Sequence, residues 1–305
     1  MQALTKLRVM EQLGKTHKIS ETANRLGLRQ PTVTFHMQTL EKETGSKLFE
    51  QQHGYVRLTE AGQAFLHYAQ DVNHLMDEAQ RTMDELNEVK RGKLTIGASY
   101  VPATYVLPPV LANFLTTYPR IQVIMRIHPF RQLLDALARR EVDFGLVYSA
   151  GEPLPDYCYQ SIGSDELVIV YSKKSHLNTC GTLTADDLSH CALVQHGHDS
   201  STRQFVETWM AAHHITAHVR LELNSIEAIK QMLMQIDAYS ILSRLAVQQE
   251  INTGILSAQS LPGNPLLRQM NLIYLRNRFL TPASQTFIKL ATAGGLHDDH
   301  LATYK

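Results

Sequence analysis

The sequence predicts an α/β protein in three parts: an N-terminal all-α winged helix-turn-helix domain, a long linker helix, and a C-terminal α/β region. Three observations predict it. Residues 19–41, ISETANRLGLRQPTVTFHMQTLE, hold two short helical patterns broken at Gly27. Residues 60–90 contain no proline and repeat apolar residues at every seventh position. From Leu94 onward, strand-like runs alternate with helical ones.

Bulk properties set the frame for these elements. A chain of 305 residues exceeds one average domain, so two or three are expected. Hydrophobic content of 44% and charged content of 19% are those of an ordinary soluble protein. No apolar run reaches membrane-spanning length, and residues 1–10 show neither the apolar core nor the cleavage site of a signal peptide. The expected location is the cytoplasm, with no membrane partner. Three cysteines, Cys158, Cys180 and Cys191, form no CxxC pair and suit a reducing compartment. Whether any of them senses redox state is left open by the sequence. The net charge of zero hides an asymmetry. Residues 1–58 carry nine Lys/Arg against five Asp/Glu, whereas residues 59–90 carry two against seven. A basic head on an acidic spacer fits a DNA-contacting lobe on a non-contacting helix.

Leu4, Leu7, Met10 and Leu13 make one face of a first helix. Ile19, Ala23 and Leu26 make the face of a second, and Gly27 supplies the turn. A third helix starts at once, with Gln30 expected at the cap, Pro31 at the first helical position, and Val33, Met37 and Leu40 inward. Two short helices joined by a glycine turn form the helix-turn-helix pattern, whose second helix enters the DNA major groove. Its outer face carries Gln30, Thr32, Thr34, Phe35 and Gln38, groups able to read base edges, hold phosphates or touch a thymine methyl. Residues 48–59, LFEQQHGYVRLT, then read as a hairpin wing turning at His53-Gly54. With Arg29, Pro31, His53 and Arg57, these residues form the expected DNA-binding set.

At this point the chain resembles the LysR-type transcriptional regulators. The matching residues are Ala23, Arg25, Leu26, Gln30-Pro31, Val33, Leu40-Glu41, Gly45, Leu48-Phe49, Leu58-Thr59 and Gly62, at the family's spacings. The chain departs from the family pattern at Thr22, at Arg29 and at Phe35. Arg29 replaces a capping serine and offers a phosphate or guanine contact instead.

In the linker helix Phe65, Val72, Ala79 and Leu86 repeat every seventh residue, as do Tyr68, Leu75, Thr82 and Val89. Such a seam pairs with another helix, so Phe65, Tyr68, Val72, Leu75, Ala79 and Leu86 are assigned to dimerisation. A dimer supplies the two recognition helices that a palindromic site requires.

The pattern changes after Arg91-Gly92-Lys93. Strands are expected at 94–97, 121–127, 142–148, 166–171, 192–195, 219–223, 240–242 and 270–275. Helices are expected around 107–115, 131–139, 183–188, 201–213, 226–235 and 282–291, with a frayed tail from Gly294. Alternation of this kind argues for mainly parallel sheets. The region resembles the family's effector domain, which implies a periplasmic-binding-protein-like fold: two α/β subdomains joined by crossover strands around a ligand cleft. The expected organisation is 1–58 winged helix-turn-helix, 59–90 linker and dimerisation helix, and 91–305 effector-binding domain. Within the last, subdomain I takes 91–162 and 266–305, and subdomain II takes 163–265. The glycine-rich segment usual before the penultimate strand appears here as 235–239, QIDAY. Residues 224–230 and 242–247 resemble the subgroup containing regulators of sulfur assimilation and carbon fixation.

Ligands in open α/β sheets bind beyond the carboxyl ends of strands, near helix N-termini. Those positions here are Ser99, Tyr100, Val101, His128, Tyr148 and Ser149 on one side. Gln195, His196, Gly197, Ser200, Thr202, Asn224 and Ser225 face them. Hydroxyls, amides and helix N-termini together favour a small anionic effector, with no other cofactor. The pairs His196/His198 and His213/His214 with His218 lie on different elements and lack a cysteine at ligand spacing, so no metal site is assigned. No nucleophile elbow, phosphate loop or dinucleotide fingerprint is present, so no catalytic residue is assigned and the protein is not expected to be an enzyme. A solute-binding protein would need a signal peptide and no helix-turn-helix. A purely architectural DNA-binding protein would leave residues 91–305 without a role. The expected partners are double-stranded promoter DNA, RNA polymerase, the effector and further copies of the chain, as a homodimer or a dimer of dimers.

Overall fold

The computed structural model describes residues 2–52, 55–87, 92–148, 153–198 and 200–292. The chain forms two compact units, the first of Met1–Asn87 with Arg139–Glu141 and the second of Glu88–Ala138 with Val142–Lys305.

The first unit holds α1 (Gln2–Thr16), α2 (Ile19–Leu26), α3 (Gln30–Thr44), the antiparallel pair β1 (Phe49–Gln52) and β2 (Tyr55–Leu58), and α4 (Glu60–Asn87). Val9, Met10, Leu13, Ala23, Val33, Met37, Leu40, Leu48, Phe49 and Val56 make its core. Gly27 ends α2 at φ 65°, a left-handed conformation that costs glycine little. The Leu28 N–H reaches back to the Ala23 carbonyl at 2.9 Å and closes that turn. The α3 cap is Arg29, one residue earlier than the sequence suggests. Its carbonyl accepts from the N–H groups of Thr32 and Val33, while its side chain makes no cap bond and is exposed. The Glu41 carboxylate accepts from the Leu48 and Phe49 N–H groups at 2.9 and 3.2 Å, tying the end of α3 to the wing. Thr59 donates to the Lys47 carbonyl at 2.6 Å and accepts from the Gly62 N–H. At Gly62 a Cβ would lie 2.1 Å from the Leu48 carbonyl oxygen, so only glycine lets α4 pack there. The wing tip, His53-Gly54, lies outside the described residues.

In the second unit β3 (Gly92–Ala98) runs parallel to β4 (Ile121–Ile127) and β5 (Phe144–Tyr148). A second parallel set comprises β7 (Ala192–His196), β8 (His218–Leu223) and β9 (Tyr239–Ser243). Two long strands, β6 (Tyr157–Ser172) and β11 (Leu266–Leu275), pair antiparallel and join the sets. The strand order is β4-β3-β5-β11-β6-β9-β7-β8, with β10 (Leu256–Ser260) also on β6. The sheet is therefore mixed, not mainly parallel, because the two crossovers run against both lobes. The first half of β6 escapes sequence reading, since residues 157–161 are only half-buried or exposed and show no clean alternation.

The helices α5 (Leu107–Thr117), α6 (Phe130–Ala138) and α11 (Pro282–Thr292) cover the first lobe. There Phe287 packs edge-on against Phe114 and stacks on Phe144. The second lobe carries α7 (Ala185–His190), α8 (Ser201–Ala212), α9 (Ile226–Gln235) and α10 (Arg244–Asn252). Trp209 and Met210 pack on one sheet face, Ile229 and Leu233 on the other. A π-helical turn, Pro102–Val106, leads into α5. The helix α10 and the strand β10 were not foreseen in the sequence.

Candidate functional site: a DNA-facing helix and a two-lobed cleft

The outer face of the first unit follows from the helix period. Val33, His36, Met37 and Leu40 point inward on α3, leaving Gln30, Pro31, Phe35 and Gln38 exposed and Thr32 and Thr34 half-buried. Arg29 and Arg57 are exposed as well. Phe35, an apolar side chain, is 62% exposed on the helix that carries the polar candidates Gln30, Thr32, Thr34 and Gln38. With Ile19, Ser20, Asn24 and Leu28, residues Arg29, Gln30, Pro31, Thr34, Phe35 and Gln38 line one shallow recess. His53 lies outside the described residues.

The linker helix departs from the expected seam. Tyr68, Val72, Leu75 and Ala79 are exposed, together with Met76 and Met83, which the seven-residue repeat did not pick out. Phe65 instead packs into the core of its own unit, and Thr82 is buried with its hydroxyl on the Glu78 carbonyl. Phe65 and Thr82 therefore fall on the inner face of the helix, off the exposed stripe. The Leu86 side chain and Val89 lie outside the described residues.

The second unit contains a cavity of about 300 Å³ between its lobes. Ser99, Tyr100 and Val101 follow β3, His128 follows β4 and Tyr148 ends β5. From the other lobe come His196 and Gly197 at the end of β7, Ser200 and Thr202 at the start of α8, and Asn224 before α9. Strand ends and helix starts converge here because parallel strands all deliver their carboxyl ends to one side. Gly197 lets Asn224 approach closely, since a Cβ would lie 1.6 Å from the Asn224 Oδ1 and displace that side chain.

Two candidates do not line the cavity. The Gln195 amide turns to Glu207, at 3.3 Å. The Ser225 hydroxyl caps α9 by accepting from the Ala228 N–H. Ser149 lies outside the described residues. Sequence reading missed Ile127, Pro129, Phe130 and Ile226, which also line the cavity. The apolar ones carry no chemical signal in one dimension.

Among the described residues that line it, none is Asp, Glu, Lys or Arg. The Ser99 hydroxyl and the Nε2 atoms of His128 and His196 are buried without a hydrogen-bond partner among the described residues. Unpaired buried polar groups cost stability unless a ligand or water completes them. Burial, and then the Arg268 charge nearby, pushes the His196 pKa down to about 4, so that ring is neutral at pH 7. Burial, followed by the neighbouring Asp165 carboxylate, holds the Tyr148 phenol well above its usual range.

An exposed helix-turn-helix with a wing, and a separate cleft of small-molecule size, define a DNA-binding regulator with a receptor domain. Residues 4–63 match the bacterial regulatory helix-turn-helix protein, lysR family, and residues 87–295 match the LysR substrate binding domain. The chain belongs to the LysR-type transcriptional regulators. It is 27% identical over 292 residues to a probable RuBisCO transcriptional regulator of Porphyra purpurea, covering 93% of this chain and 91% of that protein. The LysR family transcriptional regulator CbnR shares its fold, at a TM-score of 0.70 and 19% identity over 97% of this chain and 99% of that one. The regulatory domain of Synechocystis PCC6803 CcmR in complex with 2-PG matches at 25% identity and a TM-score of 0.62, covering 67% of this chain and 98% of that domain.

Proposed function

We propose that this regulator acts on carbon-assimilation genes and responds to a small oxyanion of the 2-PG class bound between its lobes. The observation that carries the reading is the cleft itself. Hydroxyls of Ser99, Ser200, Ser201 and Thr202 and the first N–H groups of α8 and α9 meet there, and among the described residues no acidic side chain lines the cavity. The similarity to the CcmR regulatory domain, solved with 2-PG, supports the same ligand chemistry here.

The remaining parts take roles in this scheme. Residues 1–58 read promoter DNA through α3, with Arg29, Gln30, Thr32, Thr34, Phe35 and Gln38 toward the groove and Arg57 on the wing. The exposed apolar stripe of α4, within the linker 59–90, pairs two copies. Residues 91–305 form the effector domain, whose two lobes close on the ligand. Ligand binding shifts the balance between two arrangements of the assembly, which requires different affinity for each. Among the described residues no helix is long and apolar enough to cross a membrane, and we assign the protein to the cytoplasm.

The test is a footprint of purified protein on the DNA upstream of its own gene, with and without 2-PG, beside a calorimetric titration of the same ligand. Protection of two half-sites whose extent changes with 2-PG is expected. Protection that ignores the ligand, together with no heat of binding, would remove 2-PG as the effector while leaving the DNA-binding assignment intact.

A further inference from the structure

Directly behind the cleft wall lies a buried polar cluster that the sequence did not flag. Arg268 on β11 is fully buried and is not among the residues lining the cavity. Its Nη2 donates to Asp165 Oδ2 at 2.5 Å, and the two residues sit opposite each other in the β6–β11 ladder. Its Nη1 donates to the Thr202 hydroxyl at 3.0 Å. The guanidinium lies 4.0 Å from the centre of the Tyr148 ring and 5.7 Å from that of Phe205. Asp165 also accepts from the Ser243 hydroxyl at 3.0 Å. An unpaired cation at this depth would be strongly destabilising, and Asp165 neutralises it.

Hydrogen-bond direction then decides what the wall can offer. A guanidinium only donates, whereas a threonine hydroxyl has one proton and two lone pairs. The bond from Arg268 therefore occupies a lone pair and leaves the proton. Among the described residues that bond is the one hydrogen bond of the Thr202 hydroxyl. Thr202 lies in the first turn of α8 and lines the cavity, beside backbone N–H groups that have no intrahelical acceptor.

We propose that Arg268 is a positioning residue of the site: by occupying one lone pair of the Thr202 oxygen from behind, it holds that hydroxyl with its proton directed into the cleft. The Thr202 hydroxyl then presents a donor at this point of the wall, and the cation that arranges it never touches the ligand. An oxyanion, which takes the proton, is favoured at this position over a ligand that must find a lone pair there. The inference rests on the anion reading above and adds the residue that enforces it.

The experiment is calorimetric titration of the full-length protein with 2-PG, inorganic phosphate and sulfate in turn. Uptake of at least one probe by the parent chain secures the anion reading, and uptake of none overturns both it and the Arg268 assignment. Thr202→Val keeps the shape and removes the hydroxyl, and its affinity should fall about 10- to 100-fold, the worth of one hydrogen bond to a charged group. Thr202→Ser should restore most of the loss. Arg268→Lys keeps a charge opposite Asp165 but lacks the fork that serves both partners, so it should also weaken binding. The double variant should be no weaker than Thr202→Val alone, because Arg268 acts through that hydroxyl. Parent-like affinity in Thr202→Val overturns the proposal, as do additive losses in the double variant. Parent-like affinity in Arg268→Lys overturns it too, and if that variant does not fold, the valine variant still can.

Discussion

Three residues show how local chemistry sets behaviour here: Arg29, Gln30 and His196. Arg29 caps α3 through its backbone alone, so its side chain is free to meet DNA. Gln30 is exposed beside it in the first turn. Arg29→Ala and Gln30→Ala are each predicted to weaken specific promoter binding by about 1–3 kcal/mol while leaving thermal stability near that of the parent. Promoter affinity unchanged in both variants would show that α3 does not read this site. His196 offers a separate test. Its pKa falls from an ordinary 6.5 to about 4 in the folded chain, so the unfolded chain binds the extra proton first. The associated stability is present above pH 6.5 and is lost as the pH drops toward 4, to the extent of about 3 kcal/mol. Chemical unfolding from pH 4 to 7 should therefore show a shallower acid limb in His196→Gln than in the parent. Identical slopes would place His196 outside that titration.

At the scale of elements, α4 is the informative case. Its apolar stripe of Tyr68, Val72, Leu75, Met76 and Met83 is exposed in the single chain. A stripe of that length, unlike single exposed apolar residues, marks an interaction surface. Leu75→Asp should give a smaller species by sedimentation velocity, since a charge in a helix-pairing seam leaves an unpaired ion in an apolar contact. An unaltered sedimentation coefficient would mean that copies assemble through another surface. The inner face of the same helix is set by different chemistry: Ala69 packs in the core, and buried Asn73 donates to Glu11 at 2.8 Å. The seven-residue repeat in the sequence merged these two faces. It counted Phe65 and Thr82 as seam and passed over Met76 and Met83, because side-chain burial, not spacing, separates them.

For the whole molecule, electrostatics is the property that connects sequence to function. The excess of basic residues in 1–58 and of acidic residues in 59–90 directs DNA to one part of the chain despite zero net charge. Promoter affinity should fall steeply with salt, with a log–log slope near −0.9 for each phosphate neutralised. Arg57→Ala should reduce that slope by about one if the wing holds a phosphate, and a slope equal to the parent's would take Arg57 off the backbone.

The sequence by itself determined the order of the parts. Gly27 between two apolar-periodic helices, Pro31 at the start of the second, and the alternation of strands with helices after Leu94 are all local signals. Local signals survive in one dimension because each depends on neighbours within a turn or a strand. Strand ends followed by helix starts also marked most of the cleft, since parallel topology delivers those positions to one side. Only the tertiary structure decided the rest. It showed that Gln195 and Ser225 turn away, that Ile127 and Phe130 turn in, and that the two crossover strands run antiparallel. It also brought Arg268 to Asp165 and Thr202, partners 103 and 66 residues away in the chain. Contacts at that separation depend on strand register, and register is fixed by packing against both lobes at once.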